Sequence, residues 1–407
     1  VMVPKLRFKN FEGIWEPKSL KDIACLTSSK RVHLSDYVKE GVPFFRGKEI
    51  TELKSGIIPS DILYISPLLF NEFKVKHGTP RAGEILITAV GTLGNIYHIN
   101  NIGDFYFKDG NLIWLRELKC NSLFLSFLLT FKKNEILNSA IGSTQKALTM
   151  VELNKLVFNY PRNDEQVKIA SFLSLLEEKT SLLNKQYDLL CQYKKGIMKE
   201  IFSQKMRFKD DSGKAFPEWK STILDEVVDL ITNGLALDQN DSKNGYPVSR
   251  IETISERCIN MKKVGFVDTD NDISNYKLNY GDMLFSNINS ISHIGKIAYF
   301  DIDDTLYHGM NLLRIVIKNS HCKLFFYYQL TTDTNKKYFE SRANQAISQA
   351  SINQTELRKT PVQVPCKEEQ TKIANFLSAL DDKIVVKKAE LDKLKTWKQG
   401  LLQQMFV

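Results

Sequence analysis

The residues that come closest to catalytic chemistry are two acid-lysine runs, Glu177-Glu178-Lys179 and Asp381-Asp382-Lys383. Each has the form of the back half of a D/E-x-K nuclease motif, in which carboxylates hold a divalent metal. Neither has an upstream acid placed to complete a metal site. Both lie inside long helical segments, where a solvated charged face accounts for them. A methyl-transfer site would need a Gly-rich turn after a strand and an N/D-P-P-Y/F loop for a flipped base. The chain has no Pro-Pro pair, and GTLG from Gly91 is too slight a glycine pattern. No G-x-x-x-x-G-K-S/T phosphate loop occurs either. His321 and Cys322 are adjacent, and neighbours on a strand point to opposite faces, so they form no metal pair. These residue types imply a binding chain with no catalytic residue, metal or cofactor of its own.

Composition bounds the elements that must position any binding residue. The 407 residues exceed one ordinary core and imply two or three domains. A hydrophobic fraction of 43% with 25% charged residues is globular rather than disordered. The net charge of +9 leans toward a polyanionic partner. The longest apolar runs, such as LFLSFLLTF from Leu123, are far short of a membrane span. VMVPKLRFKNFEG has no signal-peptide core, so a cytoplasmic location is expected. The chain opens on Val1 rather than Met, and a trimmed or unusually initiated start is expected. The six cysteines are scattered without a C-x-x-C pair and read as reduced, mostly packing thiols.

The organising feature is an internal repeat. EQVKIASFLSLLEEK from Glu165 returns as EQTKIANFLSALDDK from Glu369, an offset of 204 with ten of fifteen positions identical. Pro161, Leu153, Gly196 and Phe202 match Pro365, Leu357, Gly400 and Phe406 at the same offset. Each half opens alike, with LRFK before Trp15 and MRFK before Trp219. GVPFFR ending at Arg46 aligns with GYPVSR ending at Arg250, and the strand-like GEILI from Gly83 with GDMLF from Gly281. Ile169, Leu176, Leu183, Leu190 and Ile197 recur every seven residues, flanked by Phe172. The second copy gives Ile373, Leu380, Lys387, Leu394 and Leu401, flanked by Phe376 and Trp397. Asn163 with Gln166 three residues on has the form of an N-cap and capping box. Forty residues at about 1.5 Å each make a rod of roughly 60 Å. Its apolar stripe needs covering, and the other copy is the partner already present, each buried side chain contributing roughly 1.5–3 kcal/mol. Lys387 interrupts the second stripe as a register or partner-facing residue. The blocks 41–160 and 245–364 keep only scattered matches, so two divergent heads stand on two similar rods.

This pattern, L/M-R-F near a Trp, a variable block, then P-x-x-x-E-Q-x-K-I-A-x-F-L opening a long helix, all twice over, resembles the specificity subunit of type I restriction-modification systems. GSTQKALTMVEL and AISQASINQTEL, before the two helices, are similar to that family's exit segments, the second departing from the G-S-T-Q form. The resemblance covers nearly the whole chain. It implies an α+β architecture in which two α/β target recognition domains are joined by two long helices pairing as an antiparallel coiled coil, an internal pseudo-two-fold repeat. The division is 1–160 for the first recognition domain, 161–205 for the first spacer helix, 206–364 for the second domain and 365–407 for the second helix. Each domain is expected to read half of a bipartite, asymmetric sequence in double-stranded DNA. The helices set the gap and carry two methyltransferase subunits, with restriction/translocase subunits completing the complex. S-adenosylmethionine, ATP and Mg2+ would then belong to the partners, which would carry adenine-N6 methylation and cleavage. Heads on one side of a duplex would sit about one turn apart, roughly 34 Å. The competing account is a coiled-coil scaffold with no DNA role.

Base edges are read best by Arg, Lys, Asn and Gln, with phosphates taken by Lys, Arg and small polar groups. The candidates in the first head are Arg46, Lys48, Arg81, and Thr92 and Asn95 of TAVGTLGN. Their counterparts in the second head are Arg250, and Asn287, Asn289 and Lys296 of FSNINSISHIGK. Gln145 and Lys146, and Gln345 and Gln349, lie on the exit segments. The aromatic cluster FFYY from Phe325 reads as core rather than a stacking platform for single strands.

Overall fold

The two long helices are present and unbroken. The first rod runs Asn163–Phe202 and the second Lys367–Met405, each close to 60 Å long at 1.5 Å per residue. They belong to a computed structural model that describes residues 3–143, 146–256, 258–291, 293–345 and 350–406. The chain divides into two compact units. Unit 1 is Val1–Lys185 with Ala389–Val407, and unit 2 is Gln186–Lys388. Each unit therefore holds one head, the start of that head's own rod and the end of the other rod.

In unit 1 the central sheet has four strands: β1 (Cys25–Thr27), β2 (Ile85–Thr88), β3 (Ile96–His98) and β4 (Leu112–Arg116). Their order is β1-β4-β2-β3, antiparallel throughout. Unit 2 repeats the plan with β5 (Val228–Asn233), β6 (Met283–Phe285), β7 (Ile297–Tyr299) and β8 (Leu313–Ile317), in the order β5-β8-β6-β7. The GEILI and GDMLF runs are thus equivalent inner strands, every residue of β2 and β6 being buried. The glycine before each has a structural cause. Gly83 and Gly281 hold φ of 88° and 90°, a left-handed turn that other residues adopt at a cost. Their N–H groups donate to Ile99 and Phe300, both at 2.8 Å. A buried helix closes each sheet, α1 (Ser122–Phe131) in unit 1 and α2 (Lys323–Leu330) in unit 2. The FFYY run lies in α2, with Phe325, Phe326 and Tyr328 in the core. His321 and Cys322 precede α2 in a loop rather than a strand. Among the described residues no group of His, Cys, Asp or Glu could hold a metal, and no helix is long and apolar enough to cross a membrane.

The repeated opening motifs are joined to the repeated rods by the same latch in each unit. Arg7 of LRFK donates Nε and an NH2 nitrogen to the Glu165 carboxylate at 2.8 and 2.7 Å. Arg207 of MRFK does the same to Glu369 at 2.8 and 2.9 Å. Glu165 and Glu369 are almost wholly buried, so the bidentate arginine offsets a desolvation that would otherwise be prohibitive. The next residue is equally committed. Gln166 donates to the Pro161 carbonyl and accepts from the Asn121 N–H, and Gln370 donates to Pro365 and accepts from Cys322. This corrects the capping-box expectation. Asn163 is already inside the helix, the Gln166 N–H bonds to the Arg162 carbonyl, and the Gln166 side chain ties the rod to the start of α1. A two-stranded antiparallel ribbon feeds each rod, Glu16–Ser19 with Val157–Tyr160 and Lys220–Ile223 with Pro361–Val364.

The heptad stripes are the rods' packing faces. In unit 1, Ile169, Leu173 and Leu176 share a core with Leu394, Leu401, Met405 and Phe406, and Phe172 and Leu183 flank it. Leu6 N–H bonds to Gln404 while Arg7 next to it binds Glu165, which places the tail of the second rod at the head of the first. In unit 2, Ile201 packs with Ile373, Leu377 and Leu380, flanked by Ile197 and Phe376. Lys388 lies 5.5 Å over the Tyr187 ring and Lys194 bonds to Asp381. The number rises on one rod as it falls on the other, so the pairing is antiparallel. The acid-lysine runs serve this pairing. Glu177 bonds Lys398 at 2.6 Å in unit 1, and Asp381 bonds Lys194 at 2.5 Å in unit 2. Asp381 stands 204 residues after Glu177, and Lys398 204 after Lys194. Leu190 and Lys387 are half-buried and line a groove of about 410 Å³.

Candidate nucleic-acid interface

In both heads the loop singled out by sequence joins an inner strand to the edge strand that pairs with it. Residues 89–95 connect β2 to β3, and residues 286–296 connect β6 to β7. The exit segment lies against that loop each time. In unit 1, Ile141 and Ala147 form an antiparallel bridge, and the Leu148 N–H donates to the Ala89 carbonyl. In unit 2, Ile288–Asn289 pairs with Ala350–Ser351, which pairs in turn with Asn344–Gln345. The segment after GVPFFR or GYPVSR completes the cluster. Asn95 Nδ2 donates to Thr51 Oγ1 in unit 1, and Lys296 Nζ donates to the Ser255 carbonyl in unit 2. Three chain segments that are far apart in sequence thus converge at one end of each sheet.

Not every candidate side chain is free to meet a ligand there. Arg46 caps the helix Gly47–Lys54 and binds Glu49, its NH2 nitrogen 2.6 Å from a carboxylate that is 1% exposed. That hydrogen bond is the main cause holding the Arg46 guanidinium above its ordinary pKa. Arg250 occupies the matching position and reaches Gln239, Asp241 and the Asn240 carbonyl. Both arginines brace the turn that follows the aligned motif. Lys48 is exposed, with only a 3.9 Å contact to Glu52. Asn95 is buried, and its amide and backbone hold the loop to Thr51 and Thr88. Thr92 is exposed at the loop tip, its carbonyl accepting from Thr88. Arg81 is exposed but stands at the other end of β2, beside a cavity of about 270 Å³ lined also by Lys74 and Asn101. The fold does not bring it to Thr92.

In unit 2, Asn289 Nδ2 donates to Ser286 Oγ and its Oδ1 accepts from Ser290 N–H. The Asn287 carbonyl accepts from Ile352, whereas its side-chain Oδ1 is buried with no hydrogen-bond partner among the described residues. Lys146 is exposed on the exit segment, and Gln345 belongs to the exit strand of unit 2. Gln145 and Gln349 lie outside the described residues.

Two lysines that the sequence did not single out stand beside the first loop. Lys133 starts the helix after α1, and its Cε lies 3.8 Å from the position a Cβ on Gly94 would take. Lys54 ends the helix that carries Thr51. Its ammonium is drawn below the ordinary value by desolvation and then by Lys133, with Glu177 opposing and Lys398 adding to the shift. No sequence signal groups them, because residues 54, 133 and 398 meet only through the fold.

Comparison with known proteins agrees with this architecture. The family model described as type I restriction modification DNA specificity domain matches twice, at residues 13–191 and 217–396. A Methanocaldococcus jannaschii protein described as a type I restriction enzyme MjaX specificity subunit is 36% identical over 214 residues, 52% of this chain and 50% of that relative. The chain thus matches half the length of that relative. A second protein of the same organism, named type I restriction enzyme MjaVIII specificity subunit, is 25% identical over 302 residues, 70% of this chain and 71% of its own length. Among solved structures, the S subunit of the type I restriction-modification system from M. genitalium superposes with a TM-score of 0.64 at 17% identity, covering 100% of this chain and 99% of that one. A chain from work on complex assembly and conformational transition of the type I R-M system gives 0.56 at 17% identity, covering 96% and 97%. At such identity these structures establish the fold alone. With two matched copies spanning most of its length, the chain belongs to the type I restriction modification DNA specificity domain family.

Proposed function

We propose that this chain is the DNA sequence-recognition subunit of a type I restriction-modification complex. Each head reads one half of a bipartite asymmetric site in double-stranded DNA. The paired rods set the gap and carry two methyltransferase subunits, and restriction/translocase subunits join that assembly. The observation that carries this is the pairing of sameness with difference. Both units share one strand order, one Arg-Glu latch and one rod seam, yet their sheet-end loops, AVGTLGN and SNINSISHIGK, have different lengths and side chains. Conserved frames with unlike reading edges suit two unlike half-sites. A plain scaffold gives no reason for loops and exit segments to converge twice at the same sheet end.

The chain contributes positioning and recognition. Adenine-N6 methylation and cleavage, with S-adenosylmethionine, ATP and Mg2+, fall to the partner subunits. Lys48, Thr92 and Lys146 in the first head, and the loop of Asn287, Asn289 and Lys296 in the second, would meet the duplex. Arg46, Asn95 and Arg250 support them from behind. The test is co-expression with the methyltransferase subunit followed by genome-wide methylation mapping. One asymmetric split motif carrying methyladenine on both halves is expected. An active partner that leaves no such motif would overturn the proposal, as would affinity for duplex DNA that does not fall with salt.

A further inference from the structure

The corner of unit 1 where the first head meets the rods carries more positive charge than its own carboxylates balance. Four lysines gather there: Lys54, Lys132, Lys133 and Lys398. Lys132 is bonded to Glu135 at 2.7 Å and Lys398 to Glu177 at 2.6 Å. Lys54 and Lys133 have no carboxylate at ion-pair distance among the described residues, and Lys54 senses Lys133, Lys398 and Glu177 together. Two cations are therefore left over. Unit 2 is built differently at the matching place. Its helix after α2 starts on Asp333 instead of a lysine, Asp333 bonds Lys195 at 2.9 Å, and Asp381 bonds Lys194. There Lys194 and Lys195 each meet a carboxylate.

The unpaired cations are continuous with the candidate interface. Lys133 lies against Gly94 of the loop, and Lys54 ends the helix whose Thr51 holds Asn95 of that loop. Lysine ammoniums are compact point charges on flexible stems, suited to phosphate oxygens. An arrangement of this kind adds affinity without adding sequence information.

We infer that Lys54 and Lys133 form a phosphodiester-binding clamp on the first head, where the second head has the one loop lysine Lys296, so the two half-sites are held with unequal electrostatic strength. The inference rests on the DNA-recognition reading above. The probe is a labelled duplex carrying the mapped site, titrated with the complex of this chain and its methyltransferase subunits between low and physiological salt. Lys54→Gln with Lys133→Gln is compared with Lys195→Gln, which alters the matching corner of unit 2. Each lost phosphate contact makes the log–log salt slope shallower by about 0.9. The double variant is expected to flatten the slope by about 1.8 and weaken binding most at low salt. The methylated motif should stay unchanged, and Lys195→Gln should keep the parent slope. A parent complex whose binding is insensitive to salt would sink the DNA role itself. A steep parent slope reproduced by the double variant, an altered motif in that variant, or an equal flattening by Lys195→Gln would overturn the clamp alone.

Discussion

Arg207→Ala isolates the latch between the second head and its rod. Glu369 is wholly buried, and its carboxylate accepts from Arg207 Nε at 2.8 Å, Arg207 NH2 at 2.9 Å and Trp219 Nε1 at 2.9 Å. The substitution removes two of these three donors and, among the described residues, the cation paired with Glu369. A hydrogen bond to a charged group contributes about 1.5–3 kcal/mol, and stranding one member of a buried pair typically costs about 3–5 kcal/mol. Arg207 is about a quarter exposed, so water can enter where it stood and the loss should fall within that range rather than above it. With a denaturant slope of up to about 3 kcal/mol per molar, the urea midpoint of unit 2 should drop by about 1–2 M. The matched double variant, Arg207→Met with Glu369→Gln, removes both charges and should cost about 1–2 kcal/mol, less than the single change. Hydrogen exchange resolved by peptide reads the unfolding of unit 2 apart from that of unit 1, which a single melting curve would blur. An Arg207→Ala loss below about 1 kcal/mol, or a double variant no better than the single, would refute the claim that the pair exists to accommodate a buried charge.

Leu176→Asp places a carboxylate in the rod seam at a position 7% exposed. It should cost about 4 kcal/mol or more and abolish co-purification with the methyltransferase subunit, checked by affinity pull-down. Lys48→Ala should weaken DNA binding with no change in unfolding, whereas Arg46→Ala should cost about 2 kcal/mol because Glu49 loses its partner; paired urea and filter-binding curves separate the two. His308 is buried in unit 2 with its Nε2 3.0 Å from the Leu312 carbonyl, and burial pulls its pKa from 6.5 to about 4. Its contribution is complete above pH 6.5 and fades as pH falls toward 4, a loss of about 3 kcal/mol that His308→Gln should remove from the pH–stability curve.

The rods were legible because a heptad repeat is local, and one stretch of chain carries the whole pattern from Ile169 to Ile197. The inner strands were legible for the same reason, through GEILI and GDMLF and the glycine turn ahead of each. The purpose of the repeated Glu-Gln pair was not. Glu165 meets Arg7 across 158 residues and Gln166 meets Asn121 across 45, distances at which spacing says nothing. A glutamine three residues into a helix has the form of a cap until its real partners are seen. The partners of the arginines were also hidden. Arg46 and Arg250 have the chemistry for reading guanine, but Glu49, and Gln239 with Asp241, already occupy them. The position of Thr92 and of the asparagines at 287 and 289 at a sheet end was legible because their loops directly follow GEILI and GDMLF.

The borrowed rod ends also govern when each half can fold during synthesis. Trp15 packs its ring edge against Phe406, and Phe406 stacks on Phe131, so the core around Trp15 is sealed by a residue 391 positions later. Unit 2 needs only residues 186–388, all of which leave the ribosome before the segment from Ala389 that unit 1 requires. The N-terminal head must wait for more than half the polypeptide to emerge, on the order of tens of seconds at ordinary elongation rates. Over that interval its unsealed aromatic surface is the part of the nascent chain most in need of a chaperone.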